Sequence, residues 1–186
     1  MAIMGPSGSG KSTLLDTIAH RDENKRANVQ KSVYLNGCKA TREDLRHVSA
    51  YVEQEDALIG ALTVKETLSF AAKLALPKSI SKTERIQRIN GLLSAFGLVN
   101  QADTLIGTPI RKGISGGQKR RVSVASQLIT SPKILFLDEP TSGLDSTASY
   151  EVVSFVRQIA KKHNVRCSPP PGRFMFEGFC ATFLIR

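Results

Sequence analysis

The sequence predicts an α/β protein with a mostly parallel sheet, and three observations carry that prediction. A Gly/Ser loop, Gly5 to Gly10, joins a short apolar start to a segment with helical spacing. An apolar run, Ile134 to Leu137, is too short for a helix and ends in Asp138-Glu139, as a buried parallel strand would. Between them lie two capping-box patterns, each followed by apolar residues on one helical face.

Taken in order, Met1 to Met4 reads as the end of a strand. Lys11 to His20 then places Leu14, Leu15 and Ile18 on one helical face. A polar stretch, Arg21 to Lys31, leads into a strand at Ser32 to Leu35, and Asn36-Gly37 marks a hairpin turn. A further strand is expected at Val48 to Val52. Thr63-Val-Lys-Glu66 opens a helix carrying Val64, Leu68, Ala71, Ala72 and Ala75, stopped near Pro77. Ser81-Lys-Thr-Glu84 opens a second, carrying Ile86, Ile89, Leu93 and Phe96 and closed by Gly97. Ser115 and Gly116 precede a third through Val122, Ala125, Leu128 and Ile129, broken by Pro132. Asp145 can cap a last helix bearing Ala148, Val152, Phe155, Val156 and Ile159. From Arg166 the composition changes. The segment Cys167 to Gly172 holds three consecutive prolines, which fit neither a helix nor a central strand. Arg173 to Arg186 holds four of the eight phenylalanines.

Composition narrows the function. The 186 residues make one domain's worth of chain, 41% hydrophobic, enough for a core. No uncharged apolar stretch reaches bilayer-spanning length, and the N-terminus lacks the plan of a secretory signal. Cys38, Cys167 and Cys180 share no metal-ligand spacing, so a reduced, cytosolic setting is expected. The net charge is +10, from 26 Lys+Arg against 16 Asp+Glu. The basic residues are scattered, with short clusters such as Lys119-Arg120-Arg121, and no aromatic residues interleave with them. That pattern reads as a solvated basic surface, with no specific nucleic-acid partner.

Chemistry concentrates in three places. Gly5-Pro6-Ser7-Gly8-Ser9-Gly10-Lys11-Ser12-Thr13 fits the phosphate-loop pattern. Backbone N–H groups must turn inward on phosphate oxygens there, and a Cβ at the glycines would obstruct the turn. The helix starting at Lys11 adds its positive end. The Lys11 ammonium is placed to reach the β- and γ-phosphates, and the Ser12 hydroxyl to ligate Mg²⁺. Asp138 stands at a strand end, where it can hold the same ion, and Glu139 can orient and deprotonate a water. Two carboxylates capping a strand end would look the same if taken alone. Ser115-Gly116-Gly117-Gln118 before a helix makes a second anion pocket or, in the plainer reading, a glycine-rich cap.

As an ordered set these motifs resemble the nucleotide-binding domain of ATP-binding cassette (ABC) transporters. Tyr51-Val-Glu-Gln54 and Ile114 to Arg121 are similar to the G, or white/pigment-precursor, subfamily. The resemblance covers about residues 1–165. It implies a RecA-like P-loop NTPase fold with a helical subdomain inserted at about 60–128, leaving 166–186 as a divergent tail. It further implies ATP and Mg²⁺ as ligands. Gly5 to Thr13 matches the Walker A loop, and Gln54 a Q-loop glutamine that contacts Mg²⁺ or water and senses the membrane domain. Ser115 to Gln118 matches the signature motif, which closes on ATP bound to a second nucleotide-binding domain. Asp138 and Glu139 match the Walker B aspartate and catalytic base, and Ser142 to Asp145 the D-loop at the dimer interface. The implied function is ATP hydrolysis through ATP-dependent dimerisation, driving export through a transmembrane domain at the cytoplasmic face of a membrane. The alternatives are a non-catalytic ATP-binding fragment that pairs with intact homologues, and a soluble ABC ATPase.

Two departures bear on activity. Only four residues precede Gly5, so the strands and adenine-stacking aromatic of the family are not expected. After the last helix the family has a strand and a switch histidine, whereas here Arg166-Cys-Ser-Pro-Pro-Pro follows and no histidine comes after His163. The domain is therefore expected to be incomplete, its tail drawn from a shifted frame or an intron. Weak nucleotide binding and little turnover are expected. The tail itself has three open fates: disorder, packing where the missing strand belonged, or aggregation.

Overall fold

The computed structural model describes residues 2–21, 30–162, 166–167 and 179–185. Its main sheet runs in the order β1 (Ala2–Met4), β7 (Phe179–Ile185), β5 (Ile134–Asp138), β4 (Ser49–Val52), with β6 (Arg166–Cys167) pairing to β7. Strands β4 and β5 are parallel, with Tyr51 opposite Phe136. Strand β7 is antiparallel to both β5 and β1, which makes β1 parallel to β5. Three strands thus point the same way, and the loops leaving β1, β4 and β5 gather at one edge. That edge is where open α/β sheets bind ligands.

Alternation along β5 builds two cores. Leu135 and Leu137 face one side of the sheet, and Ile134 and Phe136 the other. On the first side the helices α3 (Val64–Ala75), α4 (Lys82–Ala95), α5 (Gly116–Leu128) and α6 (Ser146–Lys162) bury Leu68, Leu93, Val122 and Val156. On the second side α1 (Lys11–Ile18) lays Leu15 against Ile134 and Phe136. Burying such side chains is the main favourable term, about 1.5–3 kcal/mol each.

Local rules set most helix ends. Thr63 caps α3 with the full reciprocal box, its hydroxyl accepting from Glu66 N and the Glu66 carboxylate accepting from Thr63 N. Those bonds hold the Glu66 carboxyl below its ordinary range. Ser81 makes only half of the expected box: its hydroxyl accepts from Glu84 N, while Glu84 instead accepts from Arg88. Gly97, at φ +62°, ends α4 as expected. Ile86, expected on the apolar face of α4, is exposed, and Ile89, Leu93 and Phe96 carry the burial. The hairpin falls at β2 (Tyr34–Leu35) and β3 (Cys38–Lys39), around Asn36-Gly37.

Three elements depart from the sequence reading. Helix α2 (Arg42–Val48), capped by Thr41 and Asp44, precedes β4 and was not anticipated. Beyond α6, Arg166–Cys167 forms a short strand where a replaced one was expected, and Phe179–Ile185 enters the sheet between β1 and β5. The run Phe-Cys-Ala-Thr-Phe-Leu-Ile is apolar but for Thr182, as suits a strand with neighbours on both edges. Most of the proline segment lies outside the described residues, as does His163.

Strand β1 reaches β5 through β7. A chain shortened to residues 1–167 is therefore expected to melt about 10 °C lower or more, as the loss of three ladders of pairing implies. Scanning calorimetry checks this, and an unchanged melting temperature would mean that β7 contributes nothing to the sheet.

Candidate nucleotide site

The loop after β1 has the backbone a phosphate cradle needs. Gly8 and Gly10 sit at φ +79° and +83°, where a side chain is strained. A Cβ on Gly5 would meet Ser9 Oγ at 2.9 Å. Gly10 caps α1 without any side-chain hydrogen bond, which leaves the cap position itself without a competing side chain. Lys11 is 6% exposed, and its Nζ donates to the Pro6 carbonyl at 2.6 Å, folding back across the loop.

The acidic pair meets this loop. Ser12 Oγ donates to Asp138 Oδ1 at 2.9 Å across 126 residues of sequence. Tyr51, from the neighbouring strand β4, donates to Asp138 Oδ2 at 3.4 Å. Burial first, then the Asp138 and Asp16 carboxylates, push the Tyr51 phenol well above its ordinary range. It remains a protonated donor. Gln54 Nε2 donates to Glu139 Oε2 at 2.8 Å and to Ser142 Oγ at 3.3 Å. The Ser12 hydroxyl, Asp138 carboxylate and Gln54 amide oxygen are hard oxygen donors of the kind Mg²⁺ takes. Lys11, Ser12, Gln54, Asp138, Glu139 and Ser142 therefore stand together at the sheet edge.

Glu139 adopts φ +40°, a left-handed conformation that costs a non-glycine residue about 1–3 kcal/mol. This strain falls on the carboxylate that sequence reasoning named as the base.

The remaining candidates behave differently. Ser115 and Gln118 form a reciprocal capping box at the start of α5, so their side chains serve their own helix. Gly117 is required by packing: a Cβ there would lie 2.8 Å from Ala148 Cβ on α6. At Gly116 a Cβ would make only ordinary contact, 3.5 Å from Leu144. Asp145 Oδ1 accepts from Ala148 N at 2.9 Å, capping α6 as expected. A polar cavity of about 950 Å³, lined by Arg42, Arg46, His47, Tyr51 and Glu55 among others, includes no residue of the phosphate loop.

One residue corrects the reading of the basic clusters as solvated surface. Arg120 is 3% exposed. It donates to the carbonyls of Glu53, Gln54, Asp138 and Pro140 and pairs with Asp56 at 3.0 Å. Tyr51 was likewise missed as a site residue.

A phosphate cradle at a helix start, facing an acidic strand end in a mixed sheet whose β4 and β5 run parallel, defines a P-loop NTPase. The ABC transporter family model matches residues 1–142, and the chain belongs to that family, corresponding to part of its ATPase module. It is 49% identical over 161 residues to ABC transporter G family member STR of Medicago truncatula, and 46% identical over 162 residues to ABC transporter G family member 1 of Dictyostelium discoideum. These alignments cover 87% and 86% of this chain and 20% of each relative, so the chain spans about a fifth of their length. Among solved structures, cbiO1 of Clostridium perfringens, part of the ABC transporter complex cbiONQ, superposes with a TM-score of 0.70 at 27% identity. That match covers 87% of this chain and 62% of the other. No helix among the described residues is long and apolar enough to cross a membrane.

Proposed function

We propose that this chain binds and hydrolyses MgATP as the engine of a G-type ABC transporter, working as a dimer of nucleotide-binding domains against a transmembrane domain. The observation that carries this is the Ser12–Asp138 hydrogen bond, which joins the cradle to the acidic strand end. The loop amides and Lys11 hold the β- and γ-phosphates, while Ser12, Asp138 and Gln54 hold Mg²⁺. The ion, when bound, screens charge on the phosphates. Glu139 takes a proton from water attacking the γ-phosphate, and Gln54 orients that carboxylate through its 2.8 Å bond.

The amino end of α5, with Ser115 to Gln118, serves ATP held by a second domain. Asp145 and its loop lie at that interface, and residues 60–128 act as the helical subdomain. ATP then binds the two domains together, and hydrolysis releases them by removing the γ-phosphate contacts. The membrane domain places the module at the cytoplasmic face of a membrane.

Nucleotide titration with and without Mg²⁺, followed by native mass measurement, tests this reading. The expected result is weak Mg²⁺-dependent binding and a dimer seen only with ATP. A dimer with no turnover at all supports the non-catalytic alternative. A monomer at saturating MgATP contradicts dimerisation.

A further inference from the structure

We propose that Arg120 is a positioning residue for hydrolysis, which holds Glu139 in its left-handed conformation and sets Gln54 against it. The proposal rests on the reading of Glu139 as base.

The geometry is specific. Glu139 sits at φ +40°, and the carbonyls on both sides of it, Asp138 O and Pro140 O, accept from Arg120 Nη2 at 2.8 Å and Nε at 3.2 Å. One guanidinium thus grips the chain before and after the strained residue. From the same group, Nη1 donates to Glu53 O at 2.6 Å, Gln54 O at 3.2 Å and Asp56 Oδ1 at 3.0 Å. The backbone of Gln54 is therefore fixed by the residue that fixes the backbone of Glu139. Their side chains meet in the 2.8 Å bond. Loops following two different strands are pinned by one buried cation.

A planar fork reaches five acceptors on two loops, which a lysine ammonium on a flexible stem cannot do. Arg120 also lies on α5, about one helical turn after Ser115. The helix that presents its amino end to a partner's nucleotide is thereby bolted to its own Glu139 and Gln54. Displacement of α5 on closure then changes the Gln54–Glu139 contact, a coupling between two sites through one rigid element.

The test uses the full chain and Arg120→Lys, with two readouts. The first is the Gln54 side-chain amide signal in ¹⁵N NMR, assigned by its loss in Gln54→Ala. In the unaltered chain it is expected to be shifted and protected from exchange. In Arg120→Lys it is expected to move to the position of solvated amides. The second is MgATP turnover against ATP affinity. Turnover is expected to fall to the level of Glu139→Gln, with affinity within about threefold and no further loss in the double variant. An unmoved Gln54 signal, or single losses that multiply in the double variant, overturns the proposal.

If Arg120→Lys does not fold, Asp56→Asn loosens the fork while leaving its carbonyl bonds. It is expected to shift the same amide signal and lower turnover about tenfold. An amide signal and turnover both matching the unaltered chain overturn the proposal. Retained turnover in Glu139→Gln instead sinks the base assignment, and the amide readout still decides the role of Arg120.

Discussion

Lys11→Ala lowers ATP affinity by about 10- to 100-fold, and isothermal titration measures it. The magnitude follows from removing a charge-assisted contact to phosphate, worth about 1.5–3 kcal/mol. Three features make Lys11 sensitive. It is 6% exposed, so bulk water screens it little. Its ammonium already bonds Pro6 O at 2.6 Å, so it is held over the loop before ligand arrives. It also opens a helix whose amino end no side chain caps. Losing the ammonium removes both the phosphate contact and the tie that holds the loop closed. The fold should survive, because the core beside Lys11 rests on Leu15, Ile134 and Phe136. Equal affinity before and after the change would refute the role of Lys11.

Glu139→Gln abolishes residual turnover, by a factor of about 10²–10⁴, while leaving ATP binding within a few-fold. The amide keeps the shape of the side chain and still has an oxygen to accept from Gln54 Nε2. It cannot take a proton from water. Left-handed φ at residue 139 is tolerated as well by glutamine as by glutamate, so the backbone between Asp138 and Pro140 is undisturbed. Radiolabelled γ-phosphate release from the purified chain measures the loss. Unreduced release by the glutamine variant would move the base role elsewhere.

What the sequence disclosed followed from how local each interaction is. The phosphate loop is legible because its rule lies in nine consecutive residues, Gly5 to Thr13. The capping boxes expected at Thr63 and Ser81 span four residues each, the first complete and the second half made, and the parallel strand Ile134–Asp138 announces itself by unbroken hydrophobicity. Thr41-Arg-Glu-Asp44 held the same kind of local signal for α2 and was passed over, because a polar seven-residue helix has little apolar periodicity.

Arg120 was hidden for the opposite reason. Four of its acceptors are backbone carbonyls 18, 20, 66 and 67 residues away, and carbonyls leave no mark on the sequence. Standing between Lys119 and Arg121, it reads as part of a charged face. The strand Phe179–Ile185 was obscured by the prolines before it, and its place between β1 and β5 is set by partners more than 40 residues distant. Ile86 misled in the other direction: helical spacing aligned it with Ile89 and Leu93, yet it is exposed.

The central claim is that the Gly5–Thr13 cradle and the Asp138 strand end hold one magnesium–triphosphate between them. ATP titration of the chain and of Asp138→Asn, each with Mg²⁺ and with EDTA, tests it most directly. Mg²⁺ is expected to tighten binding to the unaltered chain about tenfold or more, while Asp138→Asn keeps the metal-free affinity but loses this gain. Binding that ignores both Mg²⁺ and the Asp138 substitution would contradict it.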